Sequence, residues 1–225
     1  MQPKLISLVV FTAAMVVQLM AQVYDWPTLS MVSKPVLMPA LMAYFFFSVT
    51  KQDKVAFYVV MALFFSWLGD VFLMFQEIYS IYFIIGLASF LIAHVLYVVI
   101  FRRTNDNFKP RAFTFATGFL LIIYGILLVF LLWPGLGEMK IPVVLYTGVI
   151  LAMALSALFR QAEGSSLVLV GAILFVSSDS LLALNKFSES FTGARFWIMA
   201  TYILAQFLIT AGMINYFNRK EPVSD

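Results

Sequence analysis

The chain has 225 residues, of which 63% are hydrophobic and 11% charged, and its formal net charge is +3 at neutral pH. An ordinary soluble domain is about half apolar and about a quarter charged, so this composition excludes a soluble globular enzyme and a disordered protein. There is no cysteine and only one histidine, which excludes disulfides, thiolate metal sites, a cysteine nucleophile and a histidine-rich metal site. We therefore expect a membrane protein that holds no metal and no cofactor.

Long, nearly charge-free stretches recur along the whole chain. A helix needs about 20 mostly apolar residues to cross the hydrocarbon core of a bilayer. The stretches predict an all-α polytopic membrane protein, folded as a single integral membrane domain over 1–225, with about eight transmembrane helices. In chain order the predicted spans are residues 5–24, 35–50, 55–76, 78–101, 112–133, 141–159, 164–185 and 196–218.

The basic residues lie in the short gaps between these spans, as membrane topology requires, and we expect no nucleic-acid partner. Ten are predicted on one side of the membrane: Lys4, Lys51, Lys54, Arg102, Arg103, Lys109, Arg111, Arg160, Arg219 and Lys220. Four are predicted on the other side: Lys34, Lys140, Lys186 and Arg195. Because cytoplasmic loops are richer in Lys and Arg, both termini are predicted to be cytoplasmic, in the inner membrane if the chain is bacterial.

The two halves of the chain, 1–110 and 111–225, resemble each other weakly. Three pairs of features match, each with one member in either half. Lys34 and Lys140 each precede a proline, Asp70 and Asp179 each lie late in a span, and segment 90–94 matches segment 202–206. Four spans per half is an even number, so both halves would have the same orientation. This predicts two parallel four-helix repeats about an axis along the membrane normal; chance agreement between apolar strings is the alternative.

Asp70 and Asp179 are the only acidic residues well inside predicted spans. A charge in the bilayer interior is costly, so an intramembrane carboxyl group is a functional candidate. Counted from Lys54 and Glu163, each lies about 24 Å along its helix, and both are expected in the outer half of the membrane. Two carboxyl groups facing one cavity can divide general acid and base roles. The alternative is a structural role, in which each bonds a neighbouring serine or caps a kink.

His94 is the only side chain whose ordinary pKa is near neutrality. We predict that it shuttles a proton or orients one of the carboxyl groups; the alternative is a buried imidazole bonded across helices. To reach the depth of the two Asp residues, its helix must start late, near Tyr82 or Gly86. Tyr97 lies on the same helix face, and Tyr97 and Ser178 are further candidate substrate-binding residues.

Lys34 and Lys140 are candidate binding residues for a phosphate group. They stand just before Pro35 and Pro142, which are predicted to start helices because proline is favoured in the first turn. The positive end of each helix would add to the charge of the lysine. The alternative is a lysine that extends to the membrane surface.

Four segments of the sequence form a recognisable set of motifs: KPVLMP at 34–39, SWLGDVFLM at 66–74, GLASFLIAHVLY at 86–97 and GAILFVSSDSLLA at 171–183. With these segments the sequence resembles the YhhN-like membrane proteins, a family that includes the lysoplasmalogenases. The resemblance extends from the second predicted span to the eighth. Its most specific parts are the Gly-Asp-x-Phe-Leu piece and the Gly-Leu-x-x-Phe-x-x-Ala-His piece.

The resemblance implies hydrolysis of the vinyl-ether bond of a lysoplasmalogen to a fatty aldehyde and glycerophosphocholine or glycerophosphoethanolamine. Asp70 and Asp179 can divide the acid and base roles of this reaction, with either one as the acid. The implied partners are a lysophospholipid substrate and membrane lipid. Two other functions stay open at this point. One is a proton-coupled transporter that uses the two carboxyl groups as carriers, and the other is a non-catalytic lipid-binding protein. The sequence makes no prediction about the oligomeric state.

Overall fold

The computed structural model describes residues 2–50, 52–106 and 112–219. Within them the chain forms eight helices and no strand, and all eight are long and apolar enough to cross a membrane, which confirms the all-α fold class. The helices are α1 (Pro3–Val23), α2 (Pro27–Ser48), α3 (Lys54–Met74), α4 (Ile81–Arg103), α5 (Ala112–Leu132), α6 (Lys140–Leu158), α7 (Ser165–Phe187) and α8 (Ala194–Phe217). The protein is an integral, multi-pass membrane protein.

The second helix starts earlier than predicted. α2 begins at Pro27, not at Pro35, because Pro27 takes the first-turn position where its missing N–H is not needed. Pro35 and Pro39 therefore lie inside the helix. Pro39 has no N–H to donate to the carbonyl of Pro35, and the indole Nε1 of Trp67 donates to that oxygen instead, at 3.0 Å.

This correction changes the setting of Lys34. Lys34 is not at a helix start but about 10 Å of helix rise inside α2. Lys140, in contrast, is the first residue of α6, as expected. The helix of His94, α4, begins at Ile81, next to Tyr82, which meets the condition for His94 to reach the depth of the two Asp residues.

The helices pack as antiparallel neighbours around α8, which is the most buried of the eight spans, whereas α5 is the least buried. α5 packs mainly on α6 and α7. Because consecutive spans run in opposite directions, α2, α4, α6 and α8 all begin on the side of the bundle opposite to the start of α1 and the end of α8. We call the side where α2, α4, α6 and α8 begin the far side.

A close backbone approach fixes α8 against the start of α7. Gly164 precedes α7 in a left-handed conformation with φ of 74°, and a Cβ atom there would lie 2.2 Å from the carbonyl oxygen of Gly212 in α8. Only glycine can adopt this backbone and leave room for that oxygen.

Gly164→Ala is expected to destabilise the protein. The left-handed backbone alone costs an L-residue about 1–2 kcal/mol, and the steric overlap adds about 1–3 kcal/mol. The measurement is an unfolding titration of the purified protein in mixed micelles. Gly148→Ala is the control, because its Cβ would meet no atom within 4 Å, and its stability should stay equal or rise by up to about 1 kcal/mol. Equal stability of the two variants would contradict the packing argument.

Candidate active site

The carboxyl group of Asp179 is the centre of one polar cluster inside the bundle. The hydroxyl of Tyr146 donates a hydrogen bond to Asp179 Oδ2 at 2.5 Å. The Nε2 atom of His94 lies 3.8 Å from the same oxygen. The three residues come from α7, α6 and α4, so their meeting depends on the packing of these helices.

A cavity lies among α4, α5, α6 and α7. Most of its wall is apolar, with contributions from Leu128, Leu132, Val143, Leu151, Leu182 and Ala183. Its polar wall groups are Asp179, Tyr146, Tyr124, Thr147 and Ser180. The cavity wall is therefore mostly apolar and carries one carboxyl group, that of Asp179.

Asp70 is the centre of a second cluster. The hydroxyl of Tyr202 donates to Asp70 Oδ2 at 2.6 Å, and Lys34 Nζ lies 3.4 Å from Asp70 Oδ1. Asp70 is buried, with 2% of its surface exposed, and it is not among the residues that line the cavity. Asp70 thus has a cationic partner and is sealed inside the protein.

Aromatic rings link the two clusters. The ring of Phe175 lies 4.6 Å from the ring of His94 and 5.5 Å from that of Tyr202. Phe90 packs edge-on against both Phe175 and Tyr202. Since His94 approaches Asp179 and Tyr202 bonds Asp70, these rings join the two carboxyl centres through an apolar layer. Of the two carboxyl groups, the structure places only Asp179 in the cavity wall.

The partners of the two carboxyl groups follow the same pattern. Asp70 on α3 contacts Lys34 of the preceding helix and Tyr202 of α8 in the other half of the chain. Asp179 on α7 contacts Tyr146 of the preceding helix and His94 of α4 in the other half. This correspondence is what two parallel repeats would produce, and the repeat stays a prediction.

His94 is fully buried, and neither ring nitrogen has a hydrogen-bond partner among the described residues. Its ring packs edge-on against Tyr146, with centroids 5.4 Å apart. A separation of 3.8 Å from Asp179 is longer than a hydrogen bond, but catalytic hydrogen bonds are often long before substrate binds. A small shift of either side chain would join them.

The remaining predicted binding residues lie outside the cavity wall. Tyr97 donates to Gln206 Oε1 at 2.6 Å in a buried network, and Ser178 donates to the carbonyl oxygen of Ile198 on α8 at 3.0 Å. The ammonium group of Lys140 lies 5.0 Å from the ring centre of Trp133. None of these three predicted residues lines the cavity.

Tyr146 and Tyr202 are the residues that sequence reasoning missed. Each is a phenol inside a membrane span, and a hydroxyl there needs a partner within the protein. With two intramembrane carboxyl groups available, that requirement is a signal that could have paired them. Within the described residues, no three or more His, Cys, Asp or Glu side chains converge into a group that could hold a metal ion.

Comparisons with known proteins identify the relatives of the chain. The model of the YhhN family matches residues 29–213. Lysoplasmalogenase TMEM86A of Bos taurus is 33% identical over 177 residues, covering 74% of this chain and 68% of that protein. A lysoplasmalogenase of Mycobacterium tuberculosis is 29% identical over 145 residues, and human lysoplasmalogenase TMEM86B is 34% identical over 138. The chain spans about half the length of these last two proteins, 53% and 52%. No solved structure matches.

Lys34→Met is expected to destabilise the protein strongly, because it leaves the buried carboxyl group of Asp70 without its cation. Removing one member of a buried ion pair costs about 3–5 kcal/mol. The double variant Lys34→Met/Asp70→Asn should recover most of the loss, and both are measured by unfolding titration in mixed micelles. The control is Arg195→Met, which breaks the exposed pair with Asp25 and should change stability by about 1 kcal/mol or less. An equal effect of the two single variants would refute the buried pair.

Proposed function

Since the chain belongs to the YhhN family, we propose that it is a lysoplasmalogenase, a hydrolase of the vinyl-ether bond of a lysophospholipid. The observation that carries the proposal is the carboxyl group of Asp179 in the wall of an apolar cavity within the membrane-spanning helices. A long hydrocarbon chain fits such a wall, and the single carboxyl group faces the polar end of that chain. Several relatives bear the name lysoplasmalogenase.

The reaction needs a proton and a water molecule. Protonation of the outer vinyl carbon of R–CH=CH–O–R′ gives an oxocarbenium ion, water adds to the carbon next to oxygen, and the hemiacetal collapses. The products are R–CH₂–CHO and R′–OH, here a fatty aldehyde and glycerophosphocholine or glycerophosphoethanolamine. The enzyme must supply an acid, a base for the water and negative charge near the cation.

Asp179 is suited to be the acid, because it is the carboxyl group that the cavity exposes. Tyr146 donates to Oδ2 of this group, which leaves Oδ1 to carry the proton toward the vinyl carbon. After the transfer the same carboxylate accepts a proton from the attacking water. His94, 3.8 Å from Oδ2, holds the carboxylate in place or passes the proton on.

Asp70 acts from behind the aromatic layer. Its ion pair with Lys34 keeps negative charge at a fixed place in a low-dielectric region, where charges interact strongly. We assign to Asp70 the stabilisation of the oxocarbenium ion and the alignment of the cluster through Tyr202 and Phe175. The two carboxyl groups therefore have different roles: Asp179 is the acid, and Asp70 stabilises the developing positive charge.

Asp179→Asn keeps the shape of the side chain but removes its proton, so kcat should fall at least about 100-fold, the lower range for general acid–base catalysis. Asp70→Asn should also lower kcat, because the oxocarbenium ion loses the negative charge that stabilises it. Aldehyde release from a lysoplasmalogen by the purified protein is the measurement. Asp25→Asn, at an exposed position, is the matched control and should keep full activity.

A second readout checks the chemistry itself. In D₂O the aldehyde should carry one deuterium at the carbon next to the carbonyl, because that proton comes from the exchangeable acid. Near-normal turnover in well-folded Asp179→Asn protein, or an aldehyde without deuterium, would refute the proposed acid.

We also propose that both termini face the cytoplasm, with the far side outward, and that in a bacterium the protein lies in the inner membrane. Ten of the fourteen Lys and Arg residues are predicted on the side opposite to the far side, which supports this orientation. Of the ten, Lys51, Lys109, Arg111 and Lys220 lie outside the described residues. A reporter active only in the cytoplasm should be active at the C-terminus and inactive when inserted in the α7–α8 connection, residues 188–193. The opposite pattern would reverse the orientation.

A further inference from the structure

The basic side chains on the far side differ in their partners. Lys34 is paired with Asp70, and Arg195 Nη1 lies 3.2 Å from Asp25 Oδ1. Lys186 and Lys140 have no carboxylate partner among the described residues. A cation that no carboxylate neutralises is available for an anionic group of a ligand.

Lys186 stands at the cavity end that faces the far side. It follows Asp179 on α7 by two helical turns, so both lie on the same face of the helix, about 10 Å apart in rise. Its Nζ atom lies 5.0 Å from the ring centre of Phe83. Phe83 and Phe187 line that end of the cavity and contact each other, with ring centroids 5.9 Å apart.

The contacts of Lys186 position its charge without neutralising it. Nζ lies 3.4 Å from Oε1 of Gln76, two residues after the end of α3, and over the face of the Phe83 ring. Both partners are uncharged. With its oxygen turned to Lys186, the amide of Gln76 keeps two N–H donors for a further acceptor. A lysine ammonium beside an amide N–H group is a suitable pair of donors for phosphate oxygens.

We propose that Lys186, assisted by Gln76, binds the phosphate of the lysophospholipid headgroup and so sets the depth at which the vinyl ether reaches Asp179. The inference rests on the proposed function. Three glycerol carbons separate the ether oxygen from the phosphate, and the four-carbon stem of the lysine covers the rest of the rise along α7. The headgroup then lies at the membrane surface while the bond to be cleaved lies beside the carboxyl group.

The other two lysines are less suited to this role. The ammonium group of Lys34 is committed to Asp70, and its loss to a phosphate would leave a buried carboxylate unpaired. Lys140 lies over Trp133, which is not part of the cavity wall. Lys186 is the one of the three whose ammonium group contacts a residue lining the cavity.

The test is binding of two non-cleavable lipids to the purified full chain in micelles. A 1-O-alkyl lysophosphocholine has the phosphate, and a 1-O-alkylglycerol of equal chain length lacks it. Lys186→Met should weaken binding of the first about 10- to 100-fold, the range for a hydrogen bond to a charged group, and leave the second unchanged. Lys186→Arg should bind nearly as the parent chain does. Arg195→Met removes one positive charge from the same side and is the matched control.

The inference would be overturned if Lys186→Met weakened binding of both lipids equally, or if Arg195→Met lost as much affinity as Lys186→Met. A larger phosphate-dependent loss of affinity in Lys140→Met than in Lys186→Met would also overturn it. Displacement of the lipid by millimolar inorganic phosphate with no dependence on the alkyl chain would indicate a free-anion site and overturn it too. Because the probes are not cleaved, the result is independent of turnover. Phosphate-dependent binding without aldehyde release would refute the proposed hydrolase activity and support the role of Lys186. Aldehyde release with an unchanged KM in Lys186→Met would support the hydrolase activity and refute the role of Lys186.

Discussion

A carboxyl group inside a membrane must find its partners within the protein, and two such groups organise this bundle. Water is absent from the hydrocarbon core, so each unpaired polar atom there costs several kcal/mol. Asp70 on α3 contacts Lys34 of α2 and Tyr202 of α8. The hydrogen bond from the Tyr146 hydroxyl to Asp179 joins α6 to α7. All five of these helices contribute to the core, and α6 and α7 also form part of the cavity wall.

The two carboxyl groups have partners from corresponding helices, but these partners differ in chemistry. One has a lysine as its partner from the preceding helix and is sealed; the other has a tyrosine there and faces a cavity. The ion pair fixes a charge at Asp70, whereas the hydrogen-bond partner of Asp179 is a neutral hydroxyl group. In the proposed function, Asp70 supplies this fixed charge and Asp179 supplies the proton.

The position of the cavity relates the chemistry to the membrane. Its apolar wall runs from the level of Asp179 to the far side, where Phe83, Phe187 and Lys186 stand. A lipid with one chain and a phosphate headgroup has the same order of apolar and charged parts. Under the proposed roles of Asp179 and Lys186, the helix rise between them on one face of α7 would set the depth of the reactive bond.

The sequence by itself determined the all-α class, the eight spans and the family resemblance, and it singled out Asp70 and Asp179 as candidates. It could do so because apolar run length and the cost of an intramembrane charge are local properties. The prediction misplaced the start of α2, because a proline such as Pro35 is typical of a first helical turn. The helix instead begins at Pro27, and the Trp67 indole donates to the Pro35 carbonyl oxygen that Pro39 cannot reach with an N–H. Only the tertiary structure decided that Lys34 pairs with Asp70, that Tyr146 bonds Asp179 and that one carboxyl group alone lines the cavity. These facts depend on which helices pack together and how each is rotated about its axis, and neither spacing nor composition along a chain specifies that rotation.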